Sequence, residues 1–330
     1  MSEDGFVFVT GATGFVGSHL VDHLIEKGRR VRCLVRRTSN LKYLEHPDVS
    51  FVYGGLDDGA DWSSALDDVH TIYHVAGLTF ARRASDYYRV NHKGTEAIVG
   101  AALKHRNHIR RFVLISSLAA VGPSRNGSPV TEETEPSPIT PYGRSKLMGE
   151  EAVSMVKDLL PAAIVRPPAV YGPRDYGIYE FFKSISRGIS PQIGRYEKKL
   201  SLVHARDLAE GIVLAGESEA SLGRTYFISS EELYTMQEVA NQLAKILGRR
   251  ARSVTIPKSL AYAVALAAEG VAAILNKPPV INRDKVTDLS QRGWACSVER
   301  AVRELGYKQK VPLEKGLSET AEWYRKQGWL

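Results

Sequence analysis

Cysteine is nearly absent. Only Cys33 and Cys296 occur in 330 residues, and Cys33 stands inside an apolar, strand-like run, so neither a disulfide framework nor a cysteine metal site is expected and the compartment reads as reducing. Missing too is an apolar run long enough to span a bilayer, which takes about 20 residues. The most apolar stretch, Ser259 to Leu275 (SLAYAVALAAEGVAAIL), has 17 and is broken by Glu269. It is expected to be a buried or lid helix, with interfacial attachment as the lesser alternative. The first residues, MSEDG, carry acids where a secretory leader has a basic region before an apolar one, so a cytoplasmic protein is expected. No internal repeat, low-complexity tract or flexible linker interrupts the chain. Basic residues are in excess, 44 Lys and Arg against 37 Asp and Glu, but they are scattered. A solvated surface rather than a nucleic-acid face is expected.

What is present is a pattern of glycines. Phe6 to Val9 has the length and β-branched content of a buried parallel strand, and Gly11, Gly14 and Gly17 follow it before an amphipathic segment from His19 to Glu26. Strand, glycine turn and helix in that order suit a dinucleotide. The first glycine turns the chain tightly, the second admits a pyrophosphate, the third lets helix pack on strand, and the phosphate sits on the helix N-terminus. Thr13, Phe15 and Val16 belong to the same loop and are carried as cofactor contacts. The length accommodates one cofactor domain and a smaller lobe, and 43% hydrophobic with 25% charged residues is ordinary for a soluble protein. His19 and His23 stand four apart, but the glutamate of HExxH and a third ligand are lacking, so no metal site is expected.

Arg30 to Arg36 (RVRCLVR) reads as the second strand, and the residues at its end choose the cofactor. An acid there binds the ribose hydroxyls of NAD, whereas arginine accommodates the 2′-phosphate of NADP. Arg36 and Arg37 occupy the place, with Thr38 and Ser39 beyond and no competing carboxylate. Guanidinium forks suit a phosphate dianion, so NADP(H) is the expected cofactor and NAD(H) the alternative.

A later apolar strand, Phe112 to Ser117 (FVLISS), ends in two serines, and doubly wound sheets carry their chemistry at strand carboxyl ends. Twenty-five residues after Ser117 comes Tyr142, with Lys146 four further on and Pro141 set to open a helix. Positions four apart share a helix face, which puts phenol and ammonium side by side.

In that order, TGATGFVG, the strand-end serine and YxxxK make roughly the first 230 residues resemble the extended short-chain dehydrogenase/reductases of the NAD-dependent epimerase/dehydratase superfamily. The resemblance implies an α/β fold: a Rossmann-type doubly wound parallel sheet with a smaller, interleaved, mostly helical substrate lobe. Residues 1–175 with about 200–230 would form the NAD(P)-binding domain, and about 176–199 with 231–330 the substrate lobe. It implies a catalytic triad of Ser117, Tyr142 and Lys146, with Tyr142 and Lys146 also reaching the cofactor. A tyrosine with an ordinary pKa near 10 needs its phenolate stabilised by about 4 kcal/mol to exchange a proton near neutrality, which a nearby ammonium can supply. Further contacts are carried over to Leu56 and Asp57 after the third strand, where Gly55 replaces the family's aspartate, and to Ala76 after a fourth strand from Thr71 to Val75. Pro167 and Val170 would meet the nicotinamide end, and Asn91 would brace the central strand. A homodimer through the helices around Asn91–Ala102 and Tyr142–Val156 is implied as well. Beyond Thr235 the pattern reads as mainly helical.

Departures point to the branch. Nucleotide-sugar epimerases carry an asparagine where Ala169 stands and an arginine where Leu200 stands, with only Lys198 and Lys199 nearby as substitutes, and dehydratases carry an acidic pair where Leu118 and Ala119 stand. Losing the asparagine and the arginine forfeits charge-assisted bonds to a diphosphate, each worth about 1.5–3 kcal/mol, and Leu118 and Ala119 cannot protonate a leaving hydroxyl as the acidic pair does. The pattern is closest to the 3β-hydroxysteroid dehydrogenase and dihydroflavonol reductase-like branch. That implies a secondary alcohol or ketone in a hydrophobic small molecule as substrate, with a nucleotide-sugar epimerase as runner-up and a non-catalytic NADP sensor as the third reading.

Overall fold

The computed structural model describes residues 5–56, 62–124, 127–194, 198–274 and 282–330. Seven parallel strands form its centre: β1 (Phe6–Thr10), β2 (Arg30–Val35), β3 (Val49–Tyr53), β4 (Val69–His74), β5 (Arg111–Ile115), β6 (Ala162–Arg166) and, after four short strands elsewhere, β11 (Thr225–Phe227). Their order is β11-β6-β5-β4-β1-β2-β3. This is the doubly wound order with one strand added beyond β6. Side chains alternate across it: Val7 and Val9 of β1 point to one face and Phe8 to the other.

Helices cover both faces, which is why β5 and β6 are buried at every position. Leu20, Val21 and Leu24 of α1 (Phe15–Glu26) share one face with Leu208 and Ile212 of α6 (Ala205–Glu217). Between them in sequence come α2 (Ala84–Tyr87), α3 (Gly94–Lys104), α4 (Pro141–Ser154) and α5 (Tyr179–Ser186). Ile98, Val99 and Ala102 of α3 and Val153 of α4 cover the opposite face with Phe8, Ile72 and Phe112. The chain leaves β1 toward one face and β4 toward the other. That reversal opens a crevice at the carboxyl ends of these neighbouring strands, where ligands of such sheets bind.

The remaining strands are short. β7 (Ala169–Tyr171) pairs with β10 (Leu202–His204), β8 (Ile189–Ile193) with β13 (Arg252–Ile256), and β9 (Lys199–Leu200) with β12 (Tyr234–Thr235) and β14 (Gly293–Trp294). Helices α7 (Met236–Ile246), α8 (Lys258–Ile274), α9 (Arg283–Leu289), α10 (Glu299–Leu305) and α11 (Leu313–Lys326) complete the chain. A separate core gathers Phe182 and Ile185 of α5, Leu243 of α7, and Leu317 and Tyr324 of α11. The stretch beyond Thr235 is mainly helical, as its pattern predicts, with β13 and the two-residue β14 as its strands. Arg252–Ile256 is rich in β-branched residues, and it pairs in parallel with β8.

Two expectations need correcting. The fourth strand runs from Val69 to His74 rather than from Thr71 to Val75. The apolar helix is α8, but it is not buried: Ala261, Ala265 and Ala272 face inward while Leu260, Val264, Leu266, Val271 and Ile274 face out.

Candidate active site

The glycine loop has the geometry its residues require. Gly11 adopts φ +72°, and a Cβ there would stand 2.5 Å from the Ala76 nitrogen, so the turn after β1 presses on the turn after β4. A Cβ on Gly17 would come within 2.1 Å of the Gly11 carbonyl, which is the close packing of helix on loop. Gly14 differs. Its Cβ would meet only the Gly11 oxygen, at 3.2 Å, leaving the approach to the N-terminus of α1 open. Gly14 caps that helix without a side-chain bond, and no acid occupies the first turn. A pyrophosphate fits there, on free N–H groups at the positive end of the helix. Gly14 is exposed, with Thr13, Phe15 and Val16 half-buried beside it.

At the end of β2 the chain turns back through Ser39 N–H to the Arg36 carbonyl, 2.9 Å, leaving both arginines exposed. They differ in company. The Arg37 guanidinium lies 5.6 Å over the Tyr53 ring, while that of Arg36 has no ion pair among the described residues. Leu56 turns its side chain onto α3, 3.4 Å from where a Gly94 Cβ would be. Asp57 lies outside the described residues.

Ser117, Tyr142 and Lys146 converge at the end of β5. The strand stops at Ile115, and Ser117 caps the following turn, accepting from Ala119 N–H at 3.1 Å. Thr140 caps α4 by accepting from Gly143 N–H at 3.2 Å, with Pro141 in the first turn. Gly143 then lets the helix lie against the serine turn, since a Cβ would come within 2.3 Å of the Ala119 carbonyl. This contact brings Tyr142 to Ser117. Burial raises the Tyr142 phenol above its ordinary value, and a hydrogen bond with Ser117 opposes the rise. Lys146 is buried, its Nζ donating to the Ile115 carbonyl at 2.6 Å. Desolvation lowers it to about 8, with the charge of Glu150 acting the other way.

Asn91 sits in a π-helical segment, Tyr88–Lys93, and the wider turn aims its amide inward. It donates to Ser145 Oγ on α4 at 2.9 Å and clasps Leu78, accepting from its N–H at 2.7 Å and donating to its carbonyl at 3.0 Å. The loop after β4 is so held against Lys146, whose Nζ lies 3.5 Å from where a Gly77 Cβ would be. Pro167 is buried and its carbonyl accepts from Leu118 N–H at 2.8 Å, beside the serine turn. Val170 packs half-buried against the sheet core.

Several groups here had no signal in the sequence. Tyr87 lies 5.8 Å from the Tyr142 ring, and Asp288 of α9 stands close enough for its charge to raise both phenols. Burial and the neighbouring Asp284 push Asp288 itself up to about 7. Behind the site, Ser116 donates to Glu150, which accepts from Arg166 Nε at 2.9 Å and from its Nη2 as well. His74 bridges Thr10 and Thr95 at 2.7 and 3.1 Å. The single Thr95 hydroxyl proton goes to the Asn91 carbonyl, so Thr95 accepts from His74 Nε2–H and His74 Nδ1 accepts from Thr10. Burial holds this imidazole neutral, lowering it to about 3.

Lys198 cannot replace the arginine missing at Leu200, because its ammonium is tied to the carbonyls of Ile193 and Leu289. No group of three or more metal-ligating side chains occurs among the described residues, and none of their helices is long and apolar enough to cross a membrane.

Known proteins resemble this chain in sequence and in fold. The model of the NAD dependent epimerase/dehydratase family matches residues 7–234. Ceramide reductase of Caulobacter vibrioides is 31% identical over 99% of this chain and 96% of its own length. A putative dihydroflavonol 4-reductase of Synechocystis is also 31% identical, over 98% of this chain and 95% of its own. The crystal structure of gox2253 has a TM-score of 0.82 at 29% identity, covering 99% of both chains. With the family pattern running through most of the chain and two relatives matched nearly end to end, this protein belongs to the NAD dependent epimerase/dehydratase family.

Proposed function

We propose that the chain is an NADP(H)-dependent oxidoreductase that interconverts a secondary alcohol and a ketone on a hydrophobic small molecule through Ser117, Tyr142 and Lys146. The observation that carries this reading is the hydrogen bond between the Ser117 hydroxyl and the Tyr142 phenol beside the end of β5, where Lys146, one turn further along α4, donates to the Ile115 carbonyl. In this reading residues 1–175 with about 200–230 hold the cofactor, and about 176–199 with 231–330 form the substrate lobe.

The nicotinamide supplies or accepts the hydride when bound. The chain does the rest. Ser117 orients the carbonyl oxygen, and Tyr142, a phenol that burial raises above its ordinary value, gives it a proton during reduction. In the oxidative direction the phenolate must form, and Lys146, one turn further along α4, is the cation that would lower that cost. The Ile115 carbonyl fixes where this charge stands.

NADP preference rests on Arg36, whose guanidinium is exposed and has no ion pair among the described residues. Arg37 is already engaged with Tyr53. NADPH is expected to bind at least about tenfold more tightly than NADH, and Arg36→Asp to reverse the order. Titration of both cofactors against both proteins checks this; equal affinities in the wild type would remove Arg36 from the role.

The substrate reading rests on Ala169 and Leu200, with Lys198 committed to backbone carbonyls. The relatives named ceramide reductase and dihydroflavonol 4-reductase support the same class. Aryl or alicyclic ketones are expected to be reduced in preference to any UDP-hexose being epimerised. NADPH consumption over a ketone panel, run beside an epimerisation assay, decides. Epimerisation without ketone reduction would establish the runner-up, and absence of turnover with any substrate would favour a cofactor sensor.

A further inference from the structure

Helix α8 is amphipathic the wrong way round. It packs its small side chains inward, Ala261 and Ala265 lying against Ile193 and Val286, and it presents its large ones to solvent. Leu260 is 54% exposed, Val264 50%, Leu266 58%, Val271 56% and Ile274 85%. No charged residue stands among them on that face; Glu269 instead turns to α9, where it accepts from Arg283 Nε at 2.9 Å. Tyr262 is tied to α9 too, through Thr287 at 2.8 Å. The helix is therefore anchored from behind and its apolar face is open.

Charge decides what that face meets. Arg249, Arg250, Arg252 and Lys258 lead into the helix, all exposed and without an ion pair among the described residues. No acid stands anywhere between Gly248 and Ala268. An exposed apolar helix with a basic approach matches the interfacial segments of proteins that bind anionic lipid, burying the apolar face at the acyl boundary while the cations meet headgroups. A second copy is the competing occupant, because Leu260, Val264, Ala267, Val271 and Ile274 follow a 4-3-4-3 spacing that a partner helix can also read. Two considerations weigh against it. A seam along one 17-residue helix covers about 300 Å² per partner, against about 800 Å² in stable dimers. A copy would also bring the same unpaired cations toward the interface twice.

We propose that α8 and the basic stretch before it form a docking surface for an anionic lipid bilayer. Because α9 lies between α8 and Tyr142, docking would leave α8 alone between the α9 wall of the site and the membrane.

Sedimentation with vesicles tests this without turnover, so it stands or falls apart from the catalytic reading. The full chain is expected to bind phosphatidylcholine vesicles containing about one-third phosphatidylglycerol, and pure phosphatidylcholine at least about tenfold more weakly. Raising the salt from about 0.05 to 0.5 M should weaken the binding. Val264→Ser with Val271→Ser, both at exposed positions, should lower it about 30-fold or more while leaving ketone reduction in solution unchanged. Arg250→Glu with Arg252→Glu should abolish the preference for the anionic vesicles through charge alone. Failure of the wild type to bind, or equal binding by either variant, would overturn the proposal. So would a wild-type dimer that the Val264/Val271 variant converts to monomer without any vesicle binding, which would assign the face to a second copy.

Discussion

Tyr142→Phe is expected to lower turnover by at least about 100-fold while leaving cofactor affinity within about twofold of wild type. The substitution removes the phenol that hydrogen-bonds with Ser117 and almost no volume, so the neighbouring Tyr87 ring and the α4 helix have no reason to move. Single-turnover kinetics beside a cofactor titration measure the two effects separately. Lys146→Met makes the contrast. It removes the ammonium held by Ile115 and so should damage turnover and cofactor binding together. If the phenylalanine variant reduced ketones at near the normal rate, Tyr142 would not be the proton donor.

Arg166→Met should destabilise the fold by about 3–5 kcal/mol, a large fraction of what a domain possesses. Both Glu150 and Arg166 are buried, and the arginine supplies two of the hydrogen bonds that the carboxylate accepts. Without it a carboxylate stays behind the site with Ser116 as its remaining partner. The double variant Glu150→Leu/Arg166→Met should regain much of the loss, because replacing a whole buried pair by apolar side chains costs far less than breaking it. Denaturant titrations of the three proteins check the cycle; a single variant within about 1 kcal/mol of wild type would show that the pair contributes little. Glu150 also lies one turn beyond Lys146 on α4, and its charge holds the ammonium up against desolvation. Its loss therefore reaches the chemistry as well as the fold.

The glycine loop, the α4 start and the Tyr142–Lys146 spacing were all legible beforehand, because each obeys a short-range rule. A positive φ at Gly11, a proline in the first turn after Thr140, and two side chains one turn apart need only their immediate neighbours. The third strand, Val49–Tyr53, falls where its apolar run places it. Strand ends are less secure. Phe112 to Ser117 reads as one strand, yet β5 ends at Ile115, so Ser117 belongs to a turn and Ser116 faces Glu150. The buried reading of helix α8 fails for a related reason. Its composition is apolar all round, and nothing in the segment says that alanines, rather than leucine and valine, fit the narrow gap against Ile193 and Val286.

By itself the sequence carried the glycine turn, the arginines after β2 and the order of serine, tyrosine and lysine, since periodicity, turn chemistry and helical spacing act over a few residues, and the doubly wound class followed from the family resemblance that these motifs carry. Only the tertiary structure decided the rest. That Arg37 lies over the Tyr53 ring while the Arg36 guanidinium has no ion pair among the described residues, that Lys198 is bound to carbonyls of Ile193 and Leu289, and that Asp288 faces Tyr142 from 146 positions away all depend on which distant segments meet. Burial and charge pairing are properties of the packed chain, and a residue's neighbours in sequence carry no record of them.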